Sequence, residues 1–400
     1  MTRPPSGPAT VDLDTIPDVN RLRATVARLA ADDLTGRRVG TLGSRAAATW
    51  LAEQLTALGA TVTRQEFPVT SVRELYATPT LRWDGKPLIH RRDFVEHLAS
   101  ADHPAPLTAK LSTSPTHGHW LLAREAEPAL VARAHATGAL GILVPRGTDA
   151  DGWMPKMIAG PVTLDLPILA VRTDLHTQMT AELGTVTATT PLRVVAITGT
   201  NIHAALTEGA PSVLLTAHYD GVGDDPDQRL PAAADNASGV AVVLEAARLV
   251  TQHHPPGLGL AVALLDAEEA GAHGSAHHAL HVPDNTYVIN IDGAAELTEA
   301  AAVEAGGPAH PLLAALDQAG RDTGVPLRAG AMASDNRRYA AAGLPAIGIG
   351  MGIPGYQTPA ETPDRVNPTT LIAATRLVVA TVWRLTTTHA SVSSLIGDKR

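Results

Sequence analysis

Four nearly continuous apolar segments in the second half of the chain constrain its fold more than any other feature. They are SVLLTAH (212–218), LGLAVALLDA (258–267), YVINID (287–292) and LPAIGIG (344–350). Runs of this kind are typical of strands that are buried on both faces of a parallel sheet. Helical patterns lie between them, most clearly at 237–251. The alternation predicts an α/β fold with an open, mixed but mainly parallel sheet flanked by helices.

The length of 400 residues predicts more than one structural unit, because a single hydrophobic core rarely grows that large. Residues 75–197 carry short strand-like runs and no cluster of acids and histidines. We therefore expect a catalytic domain in two pieces, 18–74 and 198–390, with a smaller α/β domain inserted at 75–197. Residues 1–17 are predicted to form a flexible start, and residues 391–400 a tail.

The composition excludes several kinds of function. The chain has no cysteine, so thiol catalysis and disulfides are excluded, and any metal must be held by His, Asp or Glu. The net charge of −9 and the lack of a Lys/Arg cluster argue against a nucleic-acid partner. No segment has the apolar length of a membrane span, and no signal peptide is recognisable, so we expect a cytoplasmic protein without a membrane partner.

Polar side chains gather where the predicted strands end. His218 closes the first strand, Glu268 and Glu269 follow the second, and Asp292 ends the third. Ligands of open α/β sheets bind beyond the carboxyl ends of the strands, so we expect these side chains to converge. Adjacent buried acids repel each other unless cations or protons compensate, which favours a metal site over a solvated acidic turn.

Two aspartates in this region allow two interpretations each. Asp220 shares a strand face with His218 and could accept its second ring N–H, which would orient a metal-binding imidazole, or it could simply begin a turn. Asp235 could cap the helix that begins at Ala237, or its free oxygens could bridge two metals. Four histidines follow the glutamate pair, and we expect them to lie on an exposed polar face of a helix. They are His273, His277, His278 and His281.

The order of these motifs resembles that of the M28 zinc aminopeptidases. HYD, AADNASGVAVVLEAARL, LDAEEAGAHGS, NIDG, ASDNRRYAAAGLPAI and YQTPAETPDRVN follow one another as in that family, within residues 198–388. Residues 18–70, with GRRVGTLGSRAAATWLAEQL, resemble the family's opening. The middle segment is similar to the protease-associated domain often inserted there. The resemblance implies a zinc-dependent peptidase or amidase with a small peptide or amide substrate.

The resemblance also implies a role for individual residues. Glu268 matches the general base that takes a proton from the attacking water, and Tyr356 matches a tyrosine that steadies the oxyanion. A second metal would be held by Asp235, Glu269 and the residue after Tyr356. The residues implied for the first zinc are His218, Asp235 and Asp292.

The sequence departs from the family pattern where the second metal would bind. The family has a histidine after the tyrosine, and this chain has Gln357, whose carboxamide is a far weaker zinc ligand than imidazole. Asn336 replaces the histidine of the SDH motif, and Glu361 replaces the aspartate of the HTPxDT loop. One zinc is therefore expected, and Gln357 is a doubtful ligand for a second.

Three functions are compatible with these residues. The first is an aminopeptidase-type exopeptidase, which the retention of both Glu268 and Glu269 favours. The second is a tailoring amidase or acyl-transfer enzyme for a specialised metabolite, with a mononuclear or altered metal site. The third is a non-catalytic binding homologue, for which the change at Gln357 is the support. The sequence predicts neither the substrate's identity nor the oligomeric state.

Overall fold

Helices and strands follow one another along the part of the chain that the computed structural model describes, residues 16–253, 255 and 257–397, with side chains described up to residue 386. The helices are α1 (Val19–Leu29), α2 (Leu42–Ala57), α3 (Pro128–Thr137), α4 (Thr173–Glu182), α5 (Ser238–Gln252), α6 (His273–Ala279), α7 (His310–Thr323), α8 (Asn336–Ala341) and α9 (Pro368–Gly397). Shorter helical turns cover Asp32–Arg37, Ala233–Ala237 and Pro363–Arg365.

The strands form two eight-stranded sheets within these residues. In chain order they are β1 (Thr61–Leu75), β2 (Leu81–Trp83), β3 (Lys86–Pro87), β4 (Phe94–Glu96), β5 (His103–Ser112), β6 (Trp120–Leu122), β7 (Gly141–Arg146), β8 (Ile168–Arg172), β9 (Thr185–Thr190), β10 (Leu192–Thr207), β11 (Ser212–His218), β12 (Gly259–Leu265), β13 (Tyr287–Ile291), β14 (Ala301–Gly306), β15 (Leu327–Ala329) and β16 (Ala346–Gly350).

The first sheet has the order β1-β10-β12-β11-β13-β16-β14-β15. Its four central strands, β12, β11, β13 and β16, run parallel to one another, and antiparallel pairs flank them on both sides. These four strands are the ones predicted from the apolar segments, so the predicted mainly parallel α/β sheet is confirmed. The short edge strands β14 and β15 were not predicted, because they carry no continuous apolar run.

The core of the first sheet explains why its central strands are so apolar. Every residue of β11 after Ser212 is buried, and β12 and β13 are nearly as enclosed. The largest buried cluster joins these strands to α1, α2, α5 and α9. The helix predicted at 237–251 is α5, and α9 packs against α5 and α7.

The second sheet is built from the chain between β1 and β10, in the order β3-β2-β9-β5-β6-β7-β8-β4. It has two buried clusters of its own, which contain Trp120 and Ile142. The long ribbon of β1 and β10 pairs Leu75 with Leu192, so the chain leaves and re-enters the first sheet at neighbouring points. The boundaries 75–197 and the likeness to a protease-associated domain stay predictions.

A buried ion cluster joins the second sheet to the loop that follows β11. Arg91 donates from Nε and Nη2 to the two carboxylate oxygens of Asp225, at 2.7 and 3.0 Å, and from Nη2 to Glu96 at 2.7 Å. The Lys156 ammonium lies 3.1 Å from Asp225 Oδ1 and donates to the carbonyls of Gly223 and Asp224. The second sheet is therefore fixed next to the first by two buried cations.

The parallel strands of the first sheet determine where a site can form. Because β11, β12, β13 and β16 run in one direction, their carboxyl ends meet at one edge.

Within the described residues, no helix combines the length and the apolar character that crossing a bilayer requires.

Candidate metal centre

Three predicted ligands meet beyond the parallel strands. His218 is the last residue of β11, Asp292 directly follows β13, and Asp235 lies in the turn before α5. His218 Nε2 lies 3.0 Å from Asp235 Oδ1 and 3.3 Å from Asp292 Oδ1. One ligand atom of each residue lies within 4.8 Å of the other two, the only such group among the described residues. One imidazole and two carboxylates suit zinc, so the residues fit this ion.

The electrostatics of this cluster favour a positive charge at its centre. Burial disfavours the imidazolium of His218, but the charge of Asp292 and the surrounding carboxylate hydrogen bonds raise its pKa well above the usual value. Burial opposes ionisation of Asp292 as well, and the attraction of His218 lowers its pKa. The required charge can come from a proton on His218 or from a divalent cation bound to the neutral imidazole.

Asp220 lies beside the other ring nitrogen of His218, and its carboxylate has further partners. His218 Nδ1 lies 3.3 Å from the backbone oxygen of Asp220 and 3.5 Å from its carboxylate Oδ1. The two carboxylate oxygens accept the backbone N–H groups of Glu268 and Glu269, at 3.1 and 3.2 Å. Asp220 thus links the imidazole to the turn that carries both glutamates.

The two glutamates differ in exposure. Glu268 is half-buried and Glu269 is buried. Burial raises the pKa of Glu268 well above the usual value, with Asp292 and other acids adding to the rise and His218 opposing it. Burial, followed by the charges of Asp235 and Glu268, raises the pKa of Glu269 likewise. Neither carboxylate is stable in this place without compensating charge.

Tyr356 and Gln357 come from the loop after β16. Tyr356 is 39% exposed, and burial of its hydroxyl, followed by the charge of Glu269, raises its pKa, so the hydroxyl keeps its proton. Gln357 is only 2% exposed and has a left-handed backbone, with φ of 52°. Its Nε2 donates a short hydrogen bond to Glu269 Oε2. The carboxamide therefore stands beside the acid with which the resemblance paired it.

Comparison with known proteins gives a family for this arrangement. Residues 201–382, which hold all of the side chains above, match the model of peptidase family M28. This part of the chain is similar to peptidase family M28. No curated protein sequence matched it.

Solved structures similar to this chain include two bacterial aminopeptidases. One is BSAP, a zinc aminopeptidase from Bacillus subtilis, with 20% identity, 92% of this chain and 94% of that chain covered, and a TM-score of 0.70. The other is an aminopeptidase from Aneurinibacillus sp. strain AM-1, with 19% identity, coverage of 93% and 94%, and a TM-score of 0.71. A glutaminyl cyclase from Porphyromonas gingivalis is more distant, with 17% identity, coverage of 93% and 99%, and a TM-score of 0.52. These structures share the fold, and the match to the peptidase family model supports a hydrolase.

Glu361 has a role in the candidate centre that sequence reasoning did not find. Its Oε1 accepts the backbone N–H groups of Ala234 and Asp235, at 3.0 and 2.6 Å, and its Oε2 accepts that of Gln357 at 2.7 Å. One carboxylate thus holds two loops of the candidate centre together. The only signal in the sequence was its place in the YQTPAETP motif.

Arg37 is a second residue that sequence reasoning missed. It is fully buried, and its guanidinium donates to backbone carbonyls on both sides of the loop between β11 and α5, at Tyr219, Pro231 and Ala232. Burial lowers its pKa to about 10, while the acids of the centre, Glu361 first, oppose that change. Its retained charge partly balances the carboxylates around it.

The expected exposed face of histidines is wrong for His278. This residue is 1% exposed, its Nε2 lies 3.0 Å from His203 Nδ1, and its Nδ1 lies 2.9 Å from the hydroxyl of Tyr339. The partners come from β10 and α8, which the local spacing of the histidines could not reveal. The other three histidines are half-buried or exposed.

Proposed function

We propose that the chain is a metal-dependent exopeptidase of the aminopeptidase type, which removes the N-terminal residue of a small peptide or amide. The observation that supports this most is the meeting of His218, Asp235 and Asp292 at one point, with ligand atoms within 4.8 Å of one another. These three residues would hold a zinc ion. When bound, zinc supplies Lewis-acid chemistry, which acidifies water and polarises a carbonyl.

Glu268 is the general base of the proposed mechanism. Its backbone is held by Asp220, and its side chain is half-buried beside the cluster. As a carboxylate it takes a proton from the attacking water, and it then gives that proton to the leaving amine. Glu268 must be ionised for the first step, so its raised pKa requires positive charge nearby, which supports a cation in the centre.

Tyr356 is proposed to stabilise the oxyanion. Its raised pKa keeps the phenol protonated, so its hydroxyl can donate to a negative oxygen that forms during attack on the amide carbonyl. Its side chain is 39% exposed, so a substrate can reach it from solvent. Glu361 and Asp220 contact only the chain itself in this scheme, and they position Asp235, Gln357 and the glutamate turn.

Replacement of the proposed base separates catalysis from metal binding. Glu268→Gln should retain zinc and lose activity by roughly a hundred- to ten-thousandfold, because general acid–base catalysis contributes about that much. Activity would be measured on a panel of aminoacyl amides, and zinc by elemental analysis of the same samples. Glu53→Gln, the same change at an exposed residue of α2, is the matched control and should leave both values unchanged.

The substrate panel also tests the exopeptidase assignment. Each aminoacyl amide would be paired with its N-acetylated form, which an aminopeptidase should not cleave. Equal cleavage of both forms would contradict the exopeptidase and favour the amidase alternative. Full activity of Glu268→Gln would contradict the mechanism, and a wild-type protein that never retains zinc would favour the binding homologue.

A further inference from the structure

The position beside Glu269 does not fit a second zinc ion. The resemblance assigns this position to Asp235, Glu269 and Gln357, of which Gln357 contacts Glu269, and these side chains offer only oxygen as a ligand atom. Carboxylate and carbonyl oxygens suit magnesium, calcium and manganese, whereas zinc sites in proteins normally include nitrogen or sulfur. The side-chain nitrogen of Gln357, Nε2, cannot coordinate a metal, because its electron pair is delocalised into the carbonyl.

Two buried oxygen atoms at this position have no hydrogen-bond partner among the described residues. They are Glu269 Oε1 and Gln357 Oε1. Both side chains are more than nine-tenths buried, with exposures of 7% and 2%. A buried oxygen without a partner costs about 1–3 kcal/mol, so two in contacting side chains need an explanation. A cation bound to Glu269 and to a reoriented Gln357 carboxamide would satisfy the oxygens of both side chains.

The backbone around Gln357 holds its side chain in this place. Its N–H is bound by Glu361, and its carbonyl accepts the N–H of Lys156 at 3.0 Å. Because the backbone is fixed from both sides, the amide can reorient only about its own side-chain torsions. A half-turn of the terminal torsion exchanges Nε2 for Oε1 opposite Glu269, which converts a hydrogen bond into a pair of cation ligands.

We propose that Asp235, Glu269 and Gln357 form an all-oxygen position for a hard divalent cation such as Mn²⁺ or Mg²⁺, distinct from the zinc position on His218. The inference rests on the proposed function, because it assumes zinc at the first position. The site would then hold two different metals: a zinc that stays bound, and a weaker cation that exchanges with the medium. Water molecules would complete the coordination of the second cation, as is usual for hard ions on few protein ligands.

Metal analysis tests the proposal without using activity. The intact protein would be loaded with zinc, dialysed against metal-free buffer, analysed for retained zinc, and then titrated with Mn²⁺ while the EPR signal of free Mn²⁺ is followed. We expect one retained zinc and one reversible Mn²⁺ site per chain. Glu269→Gln should keep the zinc and weaken Mn²⁺ binding by about tenfold or more, because ligand charge sets the affinity of oxygen sites.

A histidine at position 357 provides the converse test. Gln357→His should retain two zinc ions after dialysis and lose the separate Mn²⁺ site, because imidazole restores a nitrogen ligand. Gln178→His, the same change at an exposed residue of α4, is the matched control and should behave like the wild type.

The outcomes separate this inference from the proposed function. Two zinc ions retained by the wild type would show that the carboxamide position holds zinc, and the inference would be wrong. One zinc without any Mn²⁺ binding would show that the bond between Gln357 and Glu269 closes the position, and would also refute it. A chain that retains no zinc contradicts the proposed function. In that case Mn²⁺ binding that Glu269→Gln weakens supports the inference, and Mn²⁺ binding that this variant leaves unchanged refutes it.

Discussion

Asp225→Asn tests how the second sheet is fixed beside the candidate centre. The Asp225 carboxylate is 5% exposed and lies between the guanidinium of Arg91 and the ammonium of Lys156. Burial lowers the pKa of Lys156, with Asp225 as the main opposing attraction. The substitution keeps the size of the side chain and removes its charge, so both cations lose a buried counter-ion.

The expected loss of stability follows from the contacts of this carboxylate. Asp225 makes three short contacts to charged groups, at 2.7, 3.0 and 3.1 Å. Removing one member of a buried ion pair costs about 3–5 kcal/mol, because the remaining charge stays buried without a partner. The asparagine oxygen can still accept from Arg91 or Lys156, and Glu96 still pairs with Arg91. We therefore expect the lower end of that range, about 3 kcal/mol of unfolding free energy.

Two measurements check this prediction. Urea unfolding followed by tryptophan fluorescence reports unfolding of the chain, including that of the second sheet, whose core contains Trp120. Hydrogen exchange reports the Lys156 amide, which donates to Gln357 and should exchange faster in the variant. The matched control is Asp227→Asn in the same loop, where the side chain is exposed. A difference of less than about 0.5 kcal/mol between the two variants, the usual range for surface changes, would refute the argument.

Two further predictions concern buried acids and bases. Glu361→Gln should weaken zinc binding by about 10–100-fold in a chelator competition. The reason is that the amide nitrogen of the new side chain cannot accept the N–H of Gln357 or Asp235, as the carboxylate does. Unchanged zinc affinity would argue against a positioning role. Burial, helped by the charges of neighbouring histidines, lowers the pKa of His278 from 6.5 in the unfolded chain to about 3. The contribution of His278 to stability is therefore present above pH 6.5 and is lost as the pH falls towards 3. The loss of unfolding free energy between pH 7 and 5 should be smaller in His278→Leu by about 2 kcal/mol, and an equal pH dependence of variant and wild type would contradict the assignment.

The sheet could be predicted from the sequence because burial on both faces leaves a local signal. A parallel central strand is buried on both faces and therefore largely apolar, as β11 and β12 are. Their direction then determines which end of each strand carries polar residues. The meeting of His218 with Asp292 thus followed from two local patterns and one rule of topology.

The contacts that hold the centre together could not be predicted in this way. Glu361 binds Asp235 across 126 positions of the chain, and Arg91 binds Asp225 across 134. Neither pair has a local pattern, because the partners are adjacent only after the sheets have formed. His278 was misjudged for the same reason, since the spacing of its own helix shows nothing of Tyr339.

Gln357 is the residue on which the sequence and the structure have to be weighed together. As a sequence difference alone, it suggests a site that has lost a ligand. In the structure it is 2% exposed, its N–H is bound by Glu361, its carbonyl by Lys156, and its side chain by Glu269. A residue in a loop that had only lost its function would not be expected to keep three hydrogen-bond partners from three separate parts of the chain. The carboxamide is therefore built into the centre, which is why we interpret the change as a different choice of cation and not as loss of the site.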